Sequence, residues 1–333
     1  MSRFVRIIMW VLFILALFIA IAYFLPQNIY VERESVIEAS PKTVYSQIID
    51  LHSWNKWSKW NQMDPDMNVD YINRGVGVGA GYSWNSENRN VGKGTIEIVE
   101  AVKFDSIVVK LNFMEQGAAR SSFVFDKSGE STKIKWSLSY DVGYNPIARW
   151  MGLMMNKYIG SDFETGLTSL SALCKVLEKE NEYIVLIDEL ETFNYVSIRE
   201  KVSFIEISLK MGELYGEINT YINNMGAETK GMPYARYHLM TEEEIDLECG
   251  IPTTTLVEGE GDFLTGTFPN TKCATVDYYG DYQRLEEGHN AIQKWIEKRG
   301  FEIVDAPLEI YVTDPGSDTN PENWLTQIYY PVN

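Results

Sequence analysis

The sequence predicts an α+β protein in which one apolar N-terminal helix precedes two domains built on antiparallel sheets. Three observations carry this. Residues 7–25 contain no charge, residues 28–180 run from alternating strands into one long helical stretch, and residues 181–333 repeat a strand–helix–strand–strand unit.

The apolar run is 19 residues long, follows Arg3 and Arg6, and is closed by Pro26. That length roughly spans a bilayer's hydrocarbon core. Trp10 and Tyr23 sit near its ends, where amphipathic rings favour the interface. Residues 1–27 are therefore expected to be a single-pass transmembrane anchor. The basic flank puts the N-terminus in the cytoplasm and the domains outside, in a periplasmic or extracellular space. Ala20-Ile21-Ala22 also fits a signal-peptide cleavage site, so a removed leader is the alternative.

In residues 28–180 a first strand is followed by Ser40-Pro41, a capping residue and a first-turn proline that open a helix. Trp54, Trp57 and Trp60 come next at three-residue spacing. Strands are predicted at 79–84, 92–102, 106–113, 119–126 and 132–140, and a helix at 146–179. In that helix Ile159, Phe163, Leu167, Leu170, Leu173 and Leu177 form one apolar stripe. The residues Val36-Ile37-Glu38-Ala39-Ser40-Pro41, Trp54-Asn55-Lys56-Trp57, Val91-Gly92-Lys93-Gly94-Thr95 and Asp162-Phe163-Glu164-Thr165-Gly166-Leu167 resemble the START-like, polyketide cyclase (SRPBCC) superfamily. The resemblance implies a helix-grip fold, with a curved sheet around a long C-terminal helix and an apolar cavity between them. It is nearly silent on function.

In residues 181–333 the first copy is expected at 194–204 (strand), 207–225 (helix), 234–240 and 244–251 (strands). The second is expected at 272–279, 284–299, 308–313 and 325–330. Helix-terminating glycines recur as Gly226 and Gly300, and prolines recur as Pro233 with Pro307 and Pro252 with Pro331. The segments Asp246-Leu247-Glu248-Cys249-Gly250-Ile251-Pro252, Tyr278-Tyr279-Gly280-Asp281-Tyr282, Leu308-Glu309-Ile310-Tyr311 and Thr326-Gln327-Ile328-Tyr329-Tyr330-Pro331 resemble the GyrI-like small-molecule-binding domain. That resemblance implies an aromatic cleft on a pseudo-two-fold axis, with a buried carboxylate for cationic planar ligands. Relatives usually carry Glu where this chain has Gln327, and an amide supplies no charge. Glu248 is the repeat partner of Gln327 and is expected to substitute for it. The predicted ligand-binding wall is Glu248, Glu309, Tyr237, Tyr311, Gln327, Tyr329 and Trp324, with Trp295 as a core residue. Desolvated aromatic faces attract cations by about 0.5–2 kcal/mol each.

Net charge is −18. The second half holds 28 acidic and 10 basic residues, against 19 and 17 in residues 28–180. Such acidity argues against nucleic acid as a partner and is compatible with cationic ligands or with simple solvation. Cys174, Cys249 and Cys273 form no metal or disulfide spacing. His52, His238 and His289 lack partners at metal-ligand spacing, so neither a metal nor another cofactor is expected. With no recognisable catalytic set, the sequence reads as a membrane-anchored binder of a small hydrophobic ligand and a cationic aromatic one. The alternatives are a hydrolase of strained electrophilic toxins in the second domain, a cyclase-like enzyme in the first, or a structural envelope protein with both cavities packed shut.

Overall fold

A computed structural model describes residues 3–113, 117–179, 183–241 and 243–333. The apolar run forms helix α1 (Arg3–Ala22), long and apolar enough for a membrane span or a signal sequence. The helix ends before the apolar run does. Tyr23, Phe24 and Leu25 close as a tight turn on the carbonyls of Ala20, Ile21 and Ala22, because the residue ahead of Pro26 is disfavoured in helix.

The chain forms two units, Met1–Glu182 and Tyr183–Asn333. Residues 180–182, the centre of the acidic junction between the expected domains, lie outside the described residues.

Unit 1 continues with β1 (Asn28–Ile37), α2 (Pro41–Ile49), α3 (Trp54–Trp57), α4 (Lys59–Met63), β2 (Asn68–Ile72) and β3 (Gly81–Asn85). Then come β4 (Lys93–Val102), β5 (Ser106–Phe113), β6 (Gly117–Ser128), β7 (Ser131–Asp141) and the long helix α5 (Pro146–Lys179). The seven strands form one antiparallel sheet in the order β1-β7-β6-β5-β4-β3-β2. Ser40 caps α2 as expected, its hydroxyl accepting from the Thr43 N–H. The tryptophan triplet is explained by packing. Trp54 and Trp57 are buried, and their indole N–H groups are satisfied by the carbonyls of Ile48 and Gln47. Trp136 stacks on Phe163 with ring centroids 3.8 Å apart, which fastens α5 to the sheet.

Unit 2 contains β8 (Leu186–Leu190), β9 (Phe193–Val202), α6 (Ile207–Asn224), β10 (Tyr234–Met240) and β11 (Ile245–Thr253). The second copy is β12 (Leu264–Phe268), β13 (Thr271–Tyr279), α7 (Glu286–Arg299), β14 (Leu308–Tyr311) and β15 (Leu325–Pro331). Sheet order is β12-β9-β11-β10-β14-β15-β13-β8, so the pseudo-two-fold axis falls between β10 and β14. The first strand of each copy crosses to the other copy: β8 pairs with β13 and β12 with β9. Gly226 and Gly300, at φ 67° and 69°, end the two helices in the left-handed conformation, where glycine avoids a Cβ clash. Three strands, β2, β8 and β12, were not expected from the sequence. All three are five-residue edge strands, where half-exposed positions blur the alternation of side chains.

Candidate functional site

Strand alternation in unit 2 divides its residues between two faces. Cys249, Ala235, Glu309 and Ile328 are successive partners across β11, β10, β14 and β15. This row faces the helices: Ala235 and Cys249 pack with Leu214, Ile218 and Ile222 of α6, and Ile328 packs with Ile292 and Ile296 of α7. The neighbouring row, Glu248, Arg236, Leu308 and Tyr329, faces the side that carries neither helix. There Leu308 joins Leu190, Tyr234, Phe268 and Cys273 in a separate core.

The single wall expected from the sequence is therefore two walls. Glu309, Tyr237 and Tyr311 lie on the helix side, and Glu248, Gln327 and Tyr329 lie on the other. The repeat relation placed Glu248 with Gln327, but Glu309 sits one residue out of phase with both, and one residue reverses the face. Trp324 precedes β15, donates its indole N–H to the Asp318 carbonyl and leans on Tyr282. Trp295 stacks on Phe301 against the α7 core.

On the helix side Glu309 is 3 % exposed. Its carboxylate accepts from the Tyr311 hydroxyl at 2.5 Å and the Tyr237 hydroxyl at 3.1 Å, while its other oxygen lies 2.7 Å from His289 Nε2. The far nitrogen of that imidazole meets the Tyr330 hydroxyl at 2.8 Å, which also accepts from Gln293 Nε2. The phenols of Tyr237 and Tyr311 are held well above their ordinary pKa, first by burial and then by the Glu309 charge. Burial likewise drives up the Tyr215 phenol, which donates to the Tyr234 carbonyl beside them. Directly across from Glu309, β10 offers only Ala235 and β15 offers Ile328, and the phenols of Tyr237 and Tyr311 supply hydrogen-bond donors to the carboxylate.

On the other side Glu248 is 5 % exposed. It accepts from the Ser197 hydroxyl at 2.9 Å, lies 2.7 Å from His238 Nε2, and has an Arg236 guanidinium nitrogen at 3.5 Å. Arg236 also pairs with Asp305 and lies over the Phe268 ring. Gln327 and Tyr329 form their own small cluster, the amide donating to Asp277 and the phenol to the amide oxygen.

Sequence reasoning missed the histidines. Each of the two buried carboxylates is bonded by one, and no spacing rule connects His289 on α7 with Glu309 twenty residues later. Arg236 and His238 carried a usable signal, since i and i+2 on a strand share a face and the β10–β11 hairpin aligns Arg236 with Glu248.

Unit 1 holds a partly open space of about 230 Å³ between its sheet and α5. Trp54, Trp60, Tyr82, Trp84, Phe113 and Ile159 are among its apolar lining. The polar groups on this wall include Asn61, which donates to Asn55, and Asp162, which is paired with Lys59. A second, more open space of about 310 Å³ in unit 2 is bordered by Phe193, Tyr234 and Ile310 and touches neither Glu248 nor Glu309.

Residues 28–175 match the family described as polyketide cyclase / dehydrase and lipid transport, and residues 185–333 match the GyrI-like small molecule binding domain. The chain joins a polyketide cyclase-type domain to a GyrI-like domain. Both are small-molecule-binding families. No curated protein matches the chain. Among solved structures, the EcmrR C-terminal domain is 20 % identical, covering 45 % of this chain and 98 % of its own at a TM-score of 0.40. A protein of unknown function from Staphylococcus aureus, SA2116, is 13 % identical, with 46 % and 96 % coverage and a TM-score of 0.38. Truncated norcoclaurine synthase from Thalictrum flavum is 16 % identical, with 45 % and 94 % coverage and a TM-score of 0.35. Likeness at this level says nothing about ligands.

Proposed function

We propose that the protein is a membrane-anchored binder of small molecules. The polyketide cyclase-type domain takes an apolar ligand, and the GyrI-like domain takes a cationic aromatic one at Glu309, with Tyr237 and Tyr311 as the gate. In this reading α1 spans the bilayer and both domains lie outside the cytoplasm.

The observation that carries the reading is the company Glu309 keeps. Among the described residues its partners are two phenols and an imidazole, and no Lys or Arg pairs with it. A buried carboxylate without a permanent countercharge is expensive, and His289 offsets it only when protonated. A cationic ligand supplies that charge, and the displaced phenols become aromatic faces for it. Glu248 and Gln327, also in the predicted wall, have less claim to this role, because the first already has the Arg236 cation beside it and the second is uncharged. For the first domain, support comes from the aromatic lining of its partly open space, which suits an apolar molecule held by few polar groups.

Thermal-shift screening of the full chain with cationic dyes tests the second domain. A dye that stabilises the native protein is expected to lose its effect in Glu309→Gln and keep it in Gln327→Ala. An unchanged shift in Glu309→Gln would sink the assignment.

A further inference from the structure

Helix α5 changes character along its length. Its core-facing residues, Arg149, Gly160, Phe163, Leu167 and Leu170, follow one stripe from end to end. The opposite stripe should be polar throughout on a helix bathed in water. From Ser161 onward it is mostly polar, with Ser161, Thr165, Thr168 and Lys175 exposed and Val176 the one large apolar side chain exposed there. Over the first turns it is Ile147, Met151, Met154 and Tyr158, each 54–63 % exposed. One helix with one buried face thus has two kinds of outer face.

The apolar part of that outer face lies beside the end of α1. Trp150 stacks on Phe18 with centroids 4.9 Å apart and donates its indole N–H to the Phe18 carbonyl at 3.1 Å. Arg149 is buried and brings one guanidinium nitrogen to the carbonyls of Ala22, Tyr23 and Leu25 at 3.4, 3.1 and 3.3 Å. A cation there donates to carbonyls at the C-terminal end of α1 and complements its dipole. These contacts fix the height of α5 relative to α1. Phe18 is four residues before the last residue of α1, a depth of about 6 Å at the helical rise. Helices that lie in a membrane interface bury their apolar face by about 5–10 Å.

Charge points the same way. Residues 142–161 contain Arg149 and Lys157 and no acidic residue, in a chain of net charge −18. A lipid surface with any net negative charge repels this stretch less than it repels the acidic remainder.

We propose that the first turns of α5, residues 146–158, lie in the interfacial layer of the bilayer that α1 spans, with Ile147, Met151, Met154 and Tyr158 among the acyl chains. The inference rests on the reading of α1 as a membrane anchor. Met155 and Ile159, next to this stripe on the same helix, line the partly open space of unit 1. The wall of that binding site therefore stands within one helical turn of lipid.

The full chain, reconstituted in vesicles containing anionic lipid, carries the test. Single cysteines are introduced as Met151→Cys, Met154→Cys, Thr165→Cys and Leu12→Cys and labelled with an environment-sensitive fluorophore. The three native cysteines are buried, so label goes to the introduced thiols. With lipids bearing a shallow spin label, the probes at 151 and 154 are expected to shift to shorter wavelength and lose most of their emission, while the probe at 165 keeps both. The Leu12 probe, with alkaline carbonate extraction, reports separately on α1. If it is not quenched by deep spin labels and the chain is extracted, the anchor reading fails and takes this inference with it. If α1 is embedded but 151 and 154 behave like 165, the inference alone is overturned. Disulfide-linked dimers of Met151→Cys without quenching would assign the stripe to self-association and also overturn it.

Discussion

The GyrI-like sheet buries two carboxylates on its two faces, and they are solved differently. Glu248 has a permanent cation beside it, Arg236 at 3.5 Å and shared with Asp305, while Ser197 and His238 take its other acceptor positions. Glu309 has hydrogen bonds but no permanent cation. The first arrangement is closed, since its charge already has a partner inside the fold. The second is incomplete, and incompleteness is what a binding site for a cation requires. Burial alone separates nothing here, because both groups are equally hidden. The partners' charge makes the distinction.

Removing charge at each site should break the symmetry most visibly. Glu248→Gln leaves the buried Arg236 guanidinium with only the exposed Asp305 as countercharge and is expected to cost about 3 kcal/mol. Glu309→Gln leaves no orphan cation and is expected to cost only about 1 kcal/mol, the scale of one exchanged hydrogen bond. Urea denaturation measures both, and equal losses would erase the contrast. Packing on the Glu248 face gives a somewhat smaller effect. A Cβ on Gly250 would lie 2.2 Å from the Tyr234 ring, so Gly250→Ala should lose about 1–3 kcal/mol by overpacking. A tolerated Gly250→Ala would mean that this face is looser than its rings suggest.

Alkaline titration sharpens the Glu309 side. Tyr237 and Tyr311 keep their protons in the fold well above the ordinary phenol value. The unfolded chain releases its phenol protons near pH ~10. In that range the native state binds more protons, so stability is complete below pH ~10 and falls as pH rises beyond it. Denaturation midpoints across that range should drop, and less steeply in Tyr237→Phe and Tyr311→Phe. The smallest effect expected is on the thiols. Burial pushes Cys249 up to about 12, so it should resist alkylation in the native protein and react on unfolding.

The sequence announced most of the fold because its periodicities are strong. Residues 146–179 gave α5 to the residue, and the repeated glycines gave both helix ends of the second unit. The edge strand Leu186–Leu190 escaped because buried and exposed residues do not alternate along it. The site was legible in its residue types and not in its geometry. Alternation paired Glu309 with Tyr311 correctly, but placing Glu248 with them required the phase between neighbouring strands, which only the observed registers supply. His289 was invisible because nothing local ties a helix residue to a strand across the core.

The most direct measurement is calorimetric titration of the wild-type chain and of Glu309→Gln with an aromatic cation and its neutral isostere of the same shape. The cation should bind the wild type at least about tenfold more tightly, a difference of about 1.4 kcal/mol, and Glu309→Gln should bind the two alike. Equal binding by the wild type, or a preference for the cation that survives in Glu309→Gln, would contradict the assignment of Glu309 as the charge that reads the ligand.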